Sequence, residues 1–477
     1  MWSKLLSARC KYNQCAAAGP FRRQFFRRER EKMKEKFKQP AQAIRLWFWL
    51  FAAACLIAAF IMPDRDQMFE GMLRLCTLPY QSANSYFDAS CGGFSGTFLN
   101  AALVCAVCAA IYSLPGSKPD GVSVLAFFLT AGFCFWGITI LNIWFCFAGT
   151  LVFCFVRKVN PCTQGNVFLF STGIAPLMTD LLIRYPGADA HGVTLFGAVA
   201  AFLACCLIGL VLPAGLAHAP KMHKGYDLYN AAVPIGLVAF FLRAVLYRVL
   251  GGTLPEGVGV GAGDGFRAVA NSFCILVFAL ALLLGLLLGG SFRRYGDLLK
   301  DTGFNVDYGA KYGVGTAIMN FAVYGLFIVL YYNLIGAKWN AATVGCVFCM
   351  VCCCFKGSHP ANVWPIMVGY VAASFITKAI CGALGTDFTT AINAQAIVIG
   401  LCFANGLSPV AGNYGWLAGI VFAMLHYGLV TSVPFTHGGF LLYNGGFTAA
   451  LVCFLFIPVL EYFCKTKQER KELKAGK

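Results

Sequence analysis

Apolar runs of about 20 residues recur along this chain, the length a helix needs to cross the roughly 30 Å hydrocarbon core of a bilayer. Clear examples are Leu46–Met62, Gly121–Ile140, Leu195–Pro213, Ser272–Gly290 and Tyr443–Leu460. The long runs lack the two-residue alternation of barrel strands, so the pattern excludes a transmembrane β-barrel. Fourteen helical spans are predicted. Seven lie near 43–62, 96–114, 121–139, 141–157, 166–184, 193–215 and 229–250. Seven more lie near 272–291, 315–334, 340–355, 362–384, 392–410, 413–432 and 443–462.

The two sets of spans carry the same motifs in the same order. His223-Lys-Gly-Tyr-Asp-Leu-Tyr-Asn230 returns as His437-Gly-Gly-Phe-Leu-Leu-Tyr-Asn444. Phe135-Trp-Gly137 and Asn142-Ile-Trp144 return as Phe355-Lys-Gly357 and Asn362-Val-Trp364, each 220 residues later. Gly173-Ile-Ala-Pro176 matches Gly406-Leu-Ser-Pro409, and Asp88 with Gly96-Thr97 matches Asp307 with Gly315-Thr316. Four motifs in register imply a duplication. The expected domains are a basic tail over 1–42, a membrane repeat over 43–268, a second over 269–463 and a basic tail over 464–477. Seven spans is an odd number, so the second repeat should enter the membrane upside down. A single re-entrant span, at 141–157 or 340–355, would instead make the repeats parallel. The fold class expected is an all-α integral membrane protein with about fourteen transmembrane helices in two seven-helix repeats, inverted.

Composition agrees: 59% of 477 residues are hydrophobic and 12% are charged, against roughly 25% charged in an average soluble domain. The net charge of +17 would suggest a nucleic-acid partner, but +14 of it lies in residues 1–45 and 464–477. Basic tails beside spans belong on the cytoplasmic face. Phe21-Arg-Arg-Gln-Phe-Phe-Arg-Arg-Glu-Arg30 reads as a basic amphipathic stretch resting on anionic lipid, and no nucleic acid is expected. Loops predicted to be internal hold ten Lys/Arg against six in external ones, which supports two cytoplasmic termini. Most of the 23 cysteines sit inside apolar runs as small hydrophobes, so neither a disulfide framework nor a metal site is expected. Only Cys76 and Cys91 share an external loop where a disulfide could form.

Gly-Thr-Phe-Leu-Asn100, the Asn-x-Trp segments and the paired Leu-Tyr-Asn stretches resemble an uncharacterised bacterial family of multi-pass membrane proteins, known only as a domain of unknown function. The resemblance implies an inner (plasma) membrane location. It supplies no activity, substrate, cofactor or functional residue, so the motifs have to be read physically.

Gly173 with Pro176, and Gly406 with Pro409, fall mid-span, where proline and glycine together break a helix. Ser171, Thr172, Asn405 and Ser408 gather beside them. Helix breaks at matching places in two repeats point to a midplane solute site; plain packing kinks are the alternative. The breaks should approach each other and border a shared cavity. Asn142 and Asn362 read as helix N-caps, Trp144 and Trp364 as interface anchors, and Gly137 and Gly357 as tight-turn residues. His223 and His437 open the last span of each repeat and could gate a pathway, with Asn230 and Asn444 reaching inward. Asp180 is the most plausible charged participant, facing Asn413 in the other repeat. A helical ion pair with Arg184 explains it equally well. Arg243, Lys378 and Glu461 are further intramembrane charges, each able to reach an interface.

A secondary transporter of a small polar or anionic solute, with a coupling ion, fits these features best. A channel or facilitator, or less readily a membrane-embedded enzyme or scaffold, is the alternative. Six scattered histidines and no Gly-x-x-x-x-Gly-Lys-Ser/Thr loop argue against catalysis or ATP hydrolysis within the chain, and no cofactor is expected.

Overall fold

The computed structural model describes residues 39–78, 86–255 and 264–475. The basic stretch Phe21–Arg30 and nearly all of the N-terminal tail lie outside the described residues. Helix is the only regular structure among the described residues. The first repeat runs α1 (Pro40–Ile61), α2 (Met68–Thr77), α3 (Gly93–Ser113), α4 (Gly121–Phe133), α5 (Ile143–Arg157), α6 (Gly165–Ser171), α7 (Ala175–Ile183), α8 (Leu195–Met222) and α9 (Ala232–Arg243, continued as a π turn to Val249). The second runs α10 (Asp264–Leu287), α11 (Phe292–Leu298), α12 (Tyr308–Tyr312), α13 (Val314–Leu334), α14 (Ala341–Val351), α15 (Pro360–Leu384), α16 (Gln395–Ala404), α17 (Ser408–Tyr414), α18 (Trp416–Val430), α19 (Val433–Thr436) and α20 (Asn444–Phe463), followed by α21 (Lys467–Ala475). The helix that opens the second repeat therefore begins before residue 269.

Ten of the described helical stretches are long and apolar enough to cross a membrane. Four further apolar helices, Gly121–Phe133, Ile143–Arg157, Ala341–Phe355 and Trp416–Val430, are shorter. At 1.5 Å per residue the 13 residues of α4 cover about 20 Å, less than a hydrocarbon core. Apolarity alone had suggested a longer span there, but the helix stops where the chain turns.

The turn makes a hairpin. α4 starts where Asp120 caps Ser123 N, and its counterpart α14 starts where Asn340 caps Thr343 N. After α4 the chain reverses through residues 134–142, and α5 returns beside the start of α6. There Tyr112, at the far end of α3, donates its hydroxyl to Asn166 Oδ1 at 2.8 Å. Both open ends of the α4–α5 hairpin thus lie beside the C-terminal end of α3. In the second repeat Asn340 Nδ2 donates to Gln395 Oε1 at 2.9 Å, which likewise sets the start of α14 beside the start of α16, the helix that follows α15.

A buried asparagine in the middle of the preceding helix clasps each hairpin tip. Asn100 Nδ2 donates to Cys134 O at 3.0 Å and Ile138 O at 2.9 Å. Asn320 Nδ2 donates to Cys354 O at 2.8 Å and Ser358 O at 2.9 Å. A sharp reversal leaves carbonyls without helical partners, and these amides supply the donors. Asn142 and Asn362 act inside the same turns. Asn142 Oδ1 accepts from Thr139 N at 2.9 Å and its Nδ2 donates to Gly137 O at 3.0 Å. Asn362 Oδ1 accepts from His359 N at 3.0 Å and its Nδ2 donates to Gly357 O at 2.7 Å. Asn142 makes no side-chain cap bond to α5, whereas Asn362 caps the start of α15 from its first turn, as the third-position member of a capping box with His359. Each folds back over the turn, which takes priority because the reversal has the larger deficit of partners. Gly137 and Gly357 have φ of 114° and 143°, as a turn residue without a Cβ allows.

The repeats meet along α4 and α14. Here Cys349 Sγ donates to Leu129 O at 3.6 Å, a contact between residues 220 apart in sequence. A Cβ on Gly132 would lie 2.6 Å from Gly345 O, and one on Gly345 2.5 Å from Gly132 O. Aromatic rings fill the surrounding core: Trp47 sits 4.8 Å from Phe321 and Phe98 sits 4.7 Å from Phe273. Cys76 and Cys91 are free thiols.

Candidate functional site

Both expected breaks are present. α6 ends at Ser171, a 3-10 turn covers Thr172–Ile174, and α7 starts at Ala175 with Pro176 in its first turn. α16 ends at Ala404, a 3-10 turn covers Asn405–Leu407, and α17 starts at Ser408 with Pro409 in its first turn. Proline is tolerated there because a first-turn N–H has no helical acceptor to lose. Both turns are buried.

The carbonyl of each break is satisfied by the other repeat. Leu442 N donates to Gly173 O at 2.9 Å and Leu228 N donates to Gly406 O at 3.2 Å. The donors belong to the loops preceding α20 and α9, the two copies of the His…Leu-Tyr-Asn motif. The tyrosine that follows each donor presses its ring onto the same glycine. A Cβ on Gly173 would fall 2.5 Å from the Tyr443 ring, and one on Gly406 2.7 Å from that of Tyr229. Between the breaks runs a row of rings. Tyr443 lies 5.6 Å from Phe133, Phe133 lies 6.0 Å from Phe403, and Phe403 lies 4.9 Å from Tyr229.

The polar side chains expected at the breaks are buried and mostly engaged. Ser171 Oγ donates to Phe168 O at 2.7 Å, and Thr172 Oγ1 donates to Leu169 O at 2.7 Å. Asn405 Oδ1 accepts from Tyr229 OH at 2.7 Å, and its Nδ2 donates to Tyr324 OH at 3.0 Å. Ser408 Oγ lies 3.0 Å from Ser358 Oγ, on the hairpin tip of its own repeat.

Asp180 sits away from these contacts, about one and a half turns along α7. Arg184 Nε meets its Oδ1 at 2.7 Å with both side chains almost fully buried, and Tyr247 donates to Oδ2. Arg184 also donates to Thr253 O at 2.8 Å. This is the helical ion pair, extended into a network that ties the end of α7 to the π turn after α9.

His223 and His437 are both buried. His437 Nδ1 lies 2.8 Å from Asn444 Oδ1, and His223 Nδ1 accepts from Asp227 N at 3.3 Å. Burial lowers both imidazoles, His223 to about 4, so each is neutral at pH 7. Asn230 and Asn444 are half-buried at the starts of their helices, and Asn230 is turned to His223.

Asp227, inside the first motif, was not singled out from the sequence. It is 1% exposed. Its Oδ1 accepts from Tyr229 N at 3.0 Å and lies 2.6 Å from where a Cβ on Gly406 would sit. Its Oδ2 has no partner. Burial pushes its carboxyl up to about 7, against the pull of the Tyr229 and Leu228 amides. The signal was available, since Asp227 aligns with Leu441 in the second motif. A carboxylate whose counterpart is leucine is not needed for the shared fold.

A cavity of about 300 Å³ lies between α15 and α18, lined by residues including Thr377, Met424, Tyr427 and Thr431, and none of its lining residues belongs to either break. Among the described residues no group of three or more His, Cys, Asp or Glu is placed to hold a metal ion.

No curated protein and no solved structure matches the chain. The family model described as a protein of unknown function, DUF1576, matches it twice, over residues 64–248 and 290–462. This polytopic, helical, internally duplicated chain belongs to the DUF1576 family.

Proposed function

We propose that this protein is a secondary transporter that moves a small polar or anionic solute by alternating access between two inverted repeats. The observation that carries the reading is the reciprocal clasp, in which the loop before α20 holds the break in the first repeat and the loop before α9 holds the break in the second. A broken helix in an apolar medium needs partners for its freed backbone groups. Partners on the opposite repeat can be exchanged for solute when the repeats rock. The solute route then runs past Gly173–Pro176 and Gly406–Pro409, with Ser171, Thr172, Asn405, Ser408, Asn230 and Asn444 as polar contacts and the two tyrosines over the breaks as movable covers. His223 and His437 gate its two ends, and the Asp180–Arg184 pair anchors the end of the first broken helix.

Inversion is supported by direction. The N-terminal part of α1 meets that of α13 through Trp47 and Phe321, and the N-terminal part of α3 meets that of α10 through Phe98 and Phe273. Counting supports it too. Each repeat adds five crossings if its hairpin stops short of the far face and seven if the hairpin reaches it. Both numbers are odd, because both arms of a hairpin return together. Fourteen crossings and ten both return the C-terminus to the side of the N-terminus, the cytoplasmic one, although the ten helices long enough to cross include α15 and leave out α18.

The test is solute binding followed by flux. Purified protein screened against metabolite pools should show thermal stabilisation by one chemical class. That class should then exchange across vesicles in counterflow, which a channel does not support. Saturating stabilisation without any flux would overturn the transporter reading.

A further inference from the structure

The loop between α8 and α9 carries a carboxylate into the contact with the opposite repeat's break and gives it no compensating cation. Asp227 takes part in none of the ion pairs among the described residues. The groups that face it are few. His223 and Tyr229 stand in its own loop, and Tyr229 OH is spent on Asn405 and on Cys349 O, the latter at 2.8 Å. Lys224, also in the loop, is tied to Glu461 of α20. Cys453 of α20 lies within electrostatic reach. The break itself contributes only Asn405 and Gly406, neither of them charged. His223 Nδ1 accepts a backbone N–H, so the ring's proton sits on Nε2, on the side of Asn230. Asp227 Oδ2 is thus buried without a partner, while His223 and Asn230 of the same loop are turned to each other. An ionised carboxylate in such a place is costly, whereas a protonated one turns Oδ2 from an unmet acceptor into a donor.

We propose that Asp227 is a proton-exchange site, taking a proton from hydronium as the loop closes on the Gly406 break and returning it to water when the break opens. No other bond is made or broken: one proton is bound per closure, and it crosses the membrane when uptake and release face opposite sides. As a coupling device this rests on the transporter reading, but proton binding at Asp227 does not.

The experiment is isotope-edited infrared spectroscopy of the full-length protein in lipid vesicles, with ¹³C-carboxyl aspartate, at pH values either side of 7. A labelled protonated-carboxyl band should be present on the acid side and fade as pH rises through about 7. It should be absent from Asp227→Asn and retained in Asp180→Asn. Should Asp227→Asn fail to fold, Asp227→Glu keeps a carboxyl while removing the labelled band. A band that ignores pH, or that survives in both Asp227 variants, overturns the proposal. The coupling arm uses the solute class that stabilises the protein. A proton gradient should drive its accumulation in the wild type and not in Asp227→Asn, while counterflow persists in both. Proton-independent accumulation in the wild type overturns the coupling. A titrating Asp227 band in a protein that moves no solute leaves the proton site standing and removes the transporter.

Discussion

Leu442 N donates to Gly173 O at 2.9 Å across the two repeats, and Leu228 N returns the same bond to Gly406 O at 3.2 Å. A hydrogen bond of this kind contributes only about 1 kcal/mol net, but an unpaired carbonyl in an apolar medium costs more than that. Neither repeat can therefore close its own broken helix well. The pairing makes the two halves one folding unit, and it makes the break a place where a rigid-body shift exchanges partners.

The two breaks should not be equally tolerant of a methyl group. A Cβ on Gly173 meets the Tyr443 ring at 2.5 Å, and Tyr443 OH is turned only to Thr172, so that ring is held less firmly than its counterpart. A Cβ on Gly406 meets Tyr229 at 2.7 Å and Asp227 Oδ1 at 2.6 Å. Tyr229 is pinned by its hydroxyl, at 2.7 Å from Asn405 Oδ1. Gly406→Ala should cost about 1–3 kcal/mol and Gly173→Ala distinctly less. Denaturation midpoints of the two variants check this, and an equal or reversed order contradicts it.

Asn100→Ala and Asn320→Ala each take both amide hydrogens from a hairpin tip whose carbonyls are buried. Each should destabilise the protein by about 2–4 kcal/mol, from lost bonds and stranded acceptors. The two losses should be similar, because the geometry matches at 3.0 and 2.9 Å in one copy and 2.8 and 2.9 Å in the other. Equilibrium unfolding of both variants provides the comparison. A near-neutral result at either site would show that the clasp is dispensable.

Asp180 and Arg184 form a buried pair at 2.7 Å. Removing one partner leaves an uncompensated buried charge, so Asp180→Leu or Arg184→Met alone should cost about 3–5 kcal/mol. The double variant should recover much of that loss. A double-mutant cycle on stability reads the coupling. If the double variant is as unstable as the worse single one, the pair is not the unit described.

Much of this was legible because the duplication marks it twice. The Gly…Pro breaks, the Asn-x-Trp turns and the Leu-Tyr-Asn loops all announced themselves by recurring. Their partners did not. Nothing in a linear pattern says that Leu442 reaches Gly173 rather than its own repeat's Gly406, since that choice depends on how the halves dock. α4 is shorter than the apolar run that predicts it, because the helix ends at a Gly-containing turn that hydropathy does not mark, whereas α15 in the second repeat runs a full 25 residues. Asn142 was read as a cap, since asparagine before an apolar run usually is one; its side chain instead serves the turn behind it. Asp227 carries no mark of the duplication, because it occurs in one motif only and Leu441 stands at its place in the other.

Asp301 offers a pH signature outside the spans. Burial alone would raise its carboxyl. Lys311 at 2.6 Å, Gly303 N at 2.9 Å and Tyr312 OH at 2.8 Å outweigh it and hold the group below its usual value. A depressed carboxyl adds stability above its unfolded pKa of about 4 and loses it as pH falls through the folded value. Asp301→Asn should therefore melt below the wild type at neutral pH, with the gap closing as the solution is made more acidic. A gap that widens towards acid pH would reverse the sign and remove the argument.

The topology yields the last prediction. Residues 114–120 and 157–165 belong to one face, since Tyr112 reaches Asn166 and the first hairpin opens beside it. The start of α4 is tied to the loop before α13, where Gly121 N donates to Asp307 Oδ2 at 3.1 Å, so residues near 312 share that face. Arg470 donates to Tyr414 O, which adds the end of α17 and the C-terminal helix. On the other face, Arg184 reaches Thr253 O at 2.8 Å, which joins the loop after α7 to the segment before α10. Basic residues such as Lys118, Arg157, Lys158, Arg293 and Arg294 fall on the first face, which should therefore be cytoplasmic. Reporter fusions after residues 165, 312 and 477 should all report the cytoplasm, and fusions after 80 and 260 the exterior. A fusion after residue 117 that disagrees with the one after 165 would mean that the first hairpin does not return to the side it left. The count per repeat would then become even, and with it the inverted arrangement and the alternating-access reading would fall together.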